Sequence, residues 1–219
     1  MLKRALVSVA ALAFAGAANA SVTVTMTPGV VDYATDVSAV PNSQILWDFD
    51  TIFAPGYNYT PLSAQAIGST PNIARAPLGD TTVYGDVDPS TSPAIFTTPS
   101  AGLKTFSLLI GSPDTFNRIR FISTDGVTVL GDLTGATGLF GSFSPVNGSN
   151  VARRFNYTFG GAAVGTVEFY SNVNQHSFAF EFDRISGVVP EPASWAMMLL
   201  GFFGLGATLR ARKTARVIA

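Results

Sequence analysis

Between residues 21 and 188, apolar side chains recur at every second position or in short runs, and clusters of Gly, Pro, Asn, Asp and Ser separate them. Successive side chains of a strand point to opposite faces, so a period of two predicts strands rather than helices. Such runs cover 22–26, 45–49, 105–110, 119–122, 127–130, 153–159, 164–170 and 177–185. Asp125-Gly126, between two of them, predicts a tight hairpin, because glycine readily takes the positive φ of primed turns. In the last run Phe178, Phe180 and Phe182 share one face while Ala179, Glu181 and Asp183 share the other, which predicts a half-buried antiparallel strand. No amphipathic helix of good length is expected in this region. Many short strands with Gly-rich turns predict an all-β, antiparallel two-sheet β-sandwich, jelly-roll-like, over 21–187. The Pro-, Ser- and Thr-rich stretches 54–79 and 86–102 are expected to be long loops over one end of it.

Two segments break the pattern. Basic Lys3 and Arg4 precede an uncharged stretch over 5–17 that closes on Ala18-Asn19-Ala20. A basic head, an apolar middle and a small-residue cleavage site predict a signal peptide over 1–20, removed by signal peptidase after passage through the Sec translocon, so that Ser21 leads the mature chain. The second segment, Trp195 to Leu209, is uncharged and is followed by Arg210, Arg212, Lys213 and Arg216. A helix of that length rises about 22 Å against a hydrocarbon core of roughly 30 Å. Extension from 193 and snorkelling by Arg210 supply part of the difference. A single C-terminal transmembrane helix over about 193–209 is therefore predicted, with a basic end over 210–219. Lys and Arg stay cytoplasmic, so the domain before the helix faces outward. Val189-Pro190-Glu191-Pro192 cannot continue a strand or a helix, and reads as an extended peptide at the membrane surface.

The order Pro190-Glu191-Pro192, Trp195-Ala196-Met197-Met198, a short Gly-rich apolar helix and a basic end closely resembles the PEP-CTERM tail, in its PEPxxWA variant. The resemblance covers 188–219. It implies that an exosortase, an integral-membrane cysteine protease, recognises Pro190-Glu191-Pro192 and removes the helix. It further implies a Gram-negative envelope, transient anchorage in the inner membrane, and delivery to a cell surface or matrix rich in exopolysaccharide, as in a biofilm. The segment Gly111-Ser112-Pro113-Asp114-Thr115-Phe116-Asn117 resembles the GSxDxYN turn of some exosortase-dependent surface proteins, with Phe116 in place of Tyr. Physically it suits a turn, with Asp114 and Asn117 bonding nearby backbone N–H groups.

Composition narrows the chemistry. The chain of 219 residues has no Cys and one His, which removes disulfides, thiol nucleophiles and thiolate metal sites. From 21 to 189 there are seven basic and thirteen acidic residues, a balance of 7 − 13 = −6, unsuited to nucleic acid. His176 stands beside Gln175 with no Gly-x-Ser-x-Gly elbow in the chain, and the domain is expected not to be an enzyme or to need a cofactor. Asp48 and Asp50 flank Phe49, and Asp86 and Asp88 repeat that spacing. On a strand each pair would share a face, which makes them candidate Ca²⁺ ligands or, as a weaker alternative, a glycosidase pair. Tyr57 and Tyr59 in a Pro-bounded stretch are candidate glycan contacts, whereas Trp47 alternates with Ile45 and Phe49 as a core residue would. Three Asn-x-Ser/Thr triplets, at Asn58, Asn147 and Asn156, are read as chance. The leading expectation is an exported, exosortase-processed structural protein of the extracellular matrix. The alternative is a carbohydrate-binding β-sandwich module, with Ca²⁺ as a possible partner.

Overall fold

In a computed structural model the chain is described over residues 21–70, 74–145, 151–171, 178–190, 198 and 201–203. Among the described residues up to Pro190, twelve strands and one short α-helix follow in order: β1 (Ser21–Met26), α1 (Tyr33–Ala39), β2 (Ile45–Trp47), β3 (Asn58–Thr60), β4 (Gln65–Ile67), β5 (Val83–Val87), β6 (Ala94–Thr97), β7 (Thr105–Ile110), β8 (Arg118–Ser123), β9 (Val129–Thr134), β10 (Arg153–Gly160), β11 (Val164–Tyr170) and β12 (Phe180–Val188). They form two antiparallel sheets. One runs β1-β10-β7-β12-β5-β4, with β2 also paired to β12, and the other runs β3-β6-β11-β8-β9. The all-β, two-sheet expectation holds. The two stretches expected as loops do not: they contain β3, β4 and β6, and β5 runs into the second of them. Three or four residues span too little of a period to register as strands, and the neighbouring sheet, not local pattern, completes them.

The sheets meet through aromatic side chains. Phe106, Phe155, Tyr157, Phe180 and Phe182 from the seven-stranded sheet face Phe96, Phe121 and Phe169 from the other, all buried. Phe169 stacks on Phe182 with centroids 4.1 Å apart, and Phe121 meets Tyr157 at 5.1 Å. Each such ring withdraws a large apolar area, worth about 2–3 kcal/mol when fully buried. The rings set the spacing tightly. A Cβ added at Gly85 would lie 2.7 Å from the Phe182 ring and 2.8 Å from that of Phe49. The Asp125-Gly126 turn joins β8 to β9 with Gly126 at φ 75°, as its sequence predicts.

The seven-stranded sheet is also buried over the middle of its outer face, whereas β1 and the end of β10 stay exposed there. Glu181 and Asp183 on β12 are only 3% and 0% exposed, so the Phe-rich strand is not half-buried as its alternation suggests. What covers it is α1 with the segments that flank it and the stretch 74–82. Helix α1 begins at Asp32, whose Oδ1 accepts the Thr35 N–H at 2.8 Å while Thr35 Oγ1 accepts the Asp32 N–H, a reciprocal capping box. One helix residue is buried, Asp36. Its Oδ1 accepts Arg154 Nε, and its Oδ2 accepts Arg154 Nη2 and Arg184 Nε, each at 2.8 Å. Arg154 gives its remaining donors to Ser107 Oγ, Ser186 Oγ and the Arg184 carbonyl, and Arg184 reaches Asn42 Oδ1 and the Val40 carbonyl. The helix is invisible to an apolar-periodicity search because its inward residue is a carboxylate.

Removing one member of such a buried set leaves the others uncompensated, which generally costs about 3–5 kcal/mol. Asp36→Ala is therefore expected to lower unfolding free energy by about that amount in urea titration, whereas Val37→Ala on the exposed side of the same helix changes it by less than about 0.5 kcal/mol.

Candidate functional site

Strand β12 carries the unusual chemistry of the domain. Its pairing with β7 shifts register between Asp183 and Ser186, and Arg184 there has φ 51°. On the other side β5 pairs with its first half and β2 with its second. The end of β2 and the start of β5 thus converge on the bulge, bringing Asp48, Asp50 and Asp80 toward Asp183. Asp48 Oδ1 accepts the N–H groups of Asp50, Thr51 and Ile52 at 3.2, 2.9 and 2.7 Å, turning the chain after β2. Phe49 in that turn has φ 64° and is held by a T-shaped contact with Tyr59 at 4.9 Å. Left-handed backbone at a bulky residue costs about 1 kcal/mol or more and persists where packing imposes it. Asp50 Oδ1 accepts the Val83 N–H at 2.9 Å, tying the turn to β5.

The expected carboxylate pairs are consequently corrected. Strand β2 ends at Trp47, so Asp48 and Asp50 do not share a strand face; each is spent on backbone N–H groups. Asp88 caps the turn after β5, its Oδ1 accepting Ser90 N at 2.6 Å and Thr91 N at 3.0 Å. Asp86 instead lies on the outer face of β5, directly across from Glu181. Among the described residues no group of three or more His, Asp or Glu is arranged to hold a metal ion.

The tyrosine pair is also divided. Tyr59 is 1% exposed, with its hydroxyl donating to the Ala64 carbonyl at 3.0 Å, so it is a core residue and not a glycan contact. Tyr57 is half-buried and stacks on Phe96 at 5.6 Å. Asn117 is buried, but its side chain donates to the Ser112 carbonyl at 2.6 Å instead of accepting a backbone N–H. Ser21 opens β1 and Pro190 is described just beyond β12. Ala18, Ala20, His176, Glu191, Pro192, Trp195, Arg210, Arg212 and Lys213 lie outside the described residues. No described helix is long and apolar enough to cross a membrane.

Sequence reasoning missed a line of buried acids under the covering layer. Glu181 Oε1 accepts the Arg75 N–H at 2.9 Å, while Glu181 Oε2 and Asp86 Oδ1 have no donor among the described residues. Asp80 Oδ1 accepts from Thr82 N and Oγ1, and Asp183 Oδ1 from Arg184 N. Among the described residues Asp80 Oδ2 and Asp183 Oδ2 lack donors unless one carboxyl keeps its proton and bonds the other. Burial pushes Glu181 and Asp183 well above the usual carboxylate range, with nearby carboxylates adding to it, chiefly Asp86 for the first and Asp80 for the second. Burial also raises Asp80, and lifts Asp86 to about 6 with help from the Asp88 charge. The available signal was the strand register itself: Asp86 and Glu181 would be recognised as neighbours once β5 was known to pair with β12.

No protein family, no characterised protein and no solved structure matches the chain.

These acids give the stability a pH dependence of known sign. A carboxyl whose folded pKa lies above its unfolded value binds more protons in the native state, so stability falls as pH rises between the two. For Asp86 the window runs from the ordinary value of 3.8 to about 6. The facing groups are Glu181, Asp88, Tyr59 and Tyr84, none of them cationic. The melting temperature is expected to be higher at pH 5 than at pH 7.5. Asp86→Asn is expected to raise stability at pH 7.5 by about 1–2 kcal/mol, after discounting for partial solvent screening, and to flatten the profile.

Proposed function

We propose that the chain is an exported surface protein of a Gram-negative, exopolysaccharide-producing bacterium, and that an exosortase cuts its C-terminal tail before it joins the cell surface or extracellular matrix. The sequence carries the proposal: Pro190-Glu191-Pro192, Trp195, an apolar stretch and a basic end stand in that order. The borders of the sandwich support it. Strand β12 stays paired with β7 as far as Val188, whose N–H donates to Thr105 Oγ1 at 3.0 Å and whose carbonyl accepts from Lys104. Exposure then rises, with Val188 at 59% and Val189 at 43%. A protease that reads Pro190-Glu191-Pro192 would thus meet a peptide beginning within two residues of the last strand pairing. At the other end Ser21 already pairs with Gly160. Cleavage after Ala20 and cleavage near Pro190 would each leave every strand in place, as a domain that matures by losing both ends requires.

The same segment supports a membrane stage. Met198 and Gly201 to Phe203 are helical and exposed, Phe202 at 63% and Phe203 at 74%, which suits a segment whose solvent is lipid. In this reading the domain is structural rather than catalytic. Successive strands from β5 to β8 cross from sheet to sheet, which supports a jelly-roll-like arrangement.

The test is intact mass of the protein from its native host, with and without the exosortase. Loss of 1–20 in both strains, and of a C-terminal piece beginning near Pro190 only when exosortase is present, is expected. A chain that keeps Trp195 to Ala219 in both would contradict the proposal.

A further inference from the structure

The two outer faces of the sandwich are treated differently. That of the seven-stranded sheet lies under α1 and the stretch 74–82, with Arg154, Glu181, Asp183 and Tyr84 all buried beneath. On the outer face of the five-stranded sheet no described side chain of β6, β8 or β11 is buried; Ile95, Thr97, Arg118, Arg120, Ile122, Thr166, Glu168 and Tyr170 are all partly exposed. At strand spacings of about 4.8 Å this face is about 20 Å across, wide enough for several rings of a sugar chain.

Register brings its charged and aromatic residues into two adjoining rows. Arg120 stands between Asp132 on β9 and Glu168 on β11, and Arg118 between Thr134 and Tyr170. The side chains join into one network. Arg118 Nε and Nη2 donate to Asp132 at 2.7 and 2.6 Å, and its guanidinium carbon lies 4.6 Å from the centre of the Tyr170 ring. The Tyr170 hydroxyl donates to Glu168 Oε2 at 2.7 Å, and Arg120 Nη1 approaches the same oxygen at 3.5 Å. Beyond Glu168 the row continues through Ile95 to Thr60, and the next through Thr166 and Thr97 to Asn58.

Stability alone does not account for this network. Exposed ion pairs contribute only about 0–1 kcal/mol each, and Arg118 and Asp132 are each 39% exposed. What the network does provide is planar donors and acceptors whose rotamers are already fixed, so little side-chain entropy remains to be lost on binding. Its charge also selects the partner. Two guanidinium groups are balanced by two carboxylates, so the patch is neutral and offers donors and acceptors together. Polyhydroxyl chains match that, since every hydroxyl both donates and accepts. A polyanion would meet the Asp132 and Glu168 carboxylates and gain no net attraction, and nucleic acid requires a basic face.

We propose that the outer face of the five-stranded sheet binds a neutral polysaccharide, through the network of Arg118, Arg120, Asp132, Glu168 and Tyr170. The proposal rests on the matrix-protein reading only for its biological setting; the binding belongs to the folded domain whether or not the tail is cut. It also relocates glycan recognition away from Tyr57 and the buried Tyr59.

The test is affinity chromatography of the full chain, kept in a sugar-free zwitterionic detergent, on columns of immobilised glucomannan, hydroxyethyl cellulose or alginate. Retardation by at least one of the two neutral polymers and none by alginate is expected. The double variant Asp132→Asn, Glu168→Gln is expected to weaken the retardation constant about tenfold, with Tyr57→Ala unchanged. Should the double variant melt early, Tyr170→Phe, which removes the hydroxyl that bonds Glu168 and meets Arg120, is expected to weaken retardation about threefold. Elution unaffected by both neutral polymers, retardation by alginate alone, or folded variants that bind like the parent would each overturn the proposal. A chain that is processed but not retarded contradicts this inference alone, and one that is retarded but never processed contradicts only the sorting proposal.

Discussion

A single carboxylate, Asp36, lies between the guanidinium groups of Arg154 and Arg184 with all three side chains withdrawn from water. Ions so placed have given up hydration, and their mutual attraction offsets that loss only if the geometry is complete. Here it is: Arg154 finds an acceptor for each of five N–H groups, and Asp36 uses both oxygens. The set therefore contributes less to net stability than to selecting one arrangement. It fixes α1 against β10 and β12 and dictates which residues of β12 lie at the bulge. It also gives Ser107 and Ser186 partners on a face that would otherwise demand apolar residues. The covering layer adopts a geometry in which every Arg154 donor is satisfied.

The two faces of the sandwich have correspondingly different chemistry. Under the cover, Asp80, Asp86, Glu181 and Asp183 sit where burial favours the protonated form, so the covered side tolerates mild acid better than base. The five-stranded face keeps its charges balanced and partly exposed, from 16% for Glu168 to 39% for Arg118 and Asp132. For the matrix protein proposed above, this division would leave one side structural and the other available for contact with a polymer. The two proposed processing borders fall at the start of β1 and just beyond β12, so a cut at either would leave both faces intact.

Much of this was legible in the sequence, and the limits have physical causes. Strands at 105–110 and 164–170 appear where alternation places them, because six or seven residues span several periods. The hairpin at Asp125-Gly126 is local chemistry and is found there. β3, β4 and β6 escaped because three or four residues carry too little pattern, and α1 escaped because its inward residue is charged. Tyr59 looked like a loop aromatic until β6 paired beside it. Glu181 and Asp183 looked solvent-facing because alternation reports which side of a strand is polar, not whether something later covers that side. The pairing of Asp86 with Glu181, and of Asp36 with two arginines more than a hundred residues away, lies in long-range register that no local pattern encodes.

Native-state hydrogen exchange tests the central claim, that the buried charge set makes the cover one cooperative unit with the sheet beneath it. The reporting amides are Asp36 and Val40, bonded to the carbonyls of Asp32 and Asp36. If Asp36 locks α1 in place, these amides should exchange with the same opening free energy as those of β7, β10 and β12. Helix amides that exchange far faster than the strands would show that the cover opens on its own, and would contradict it.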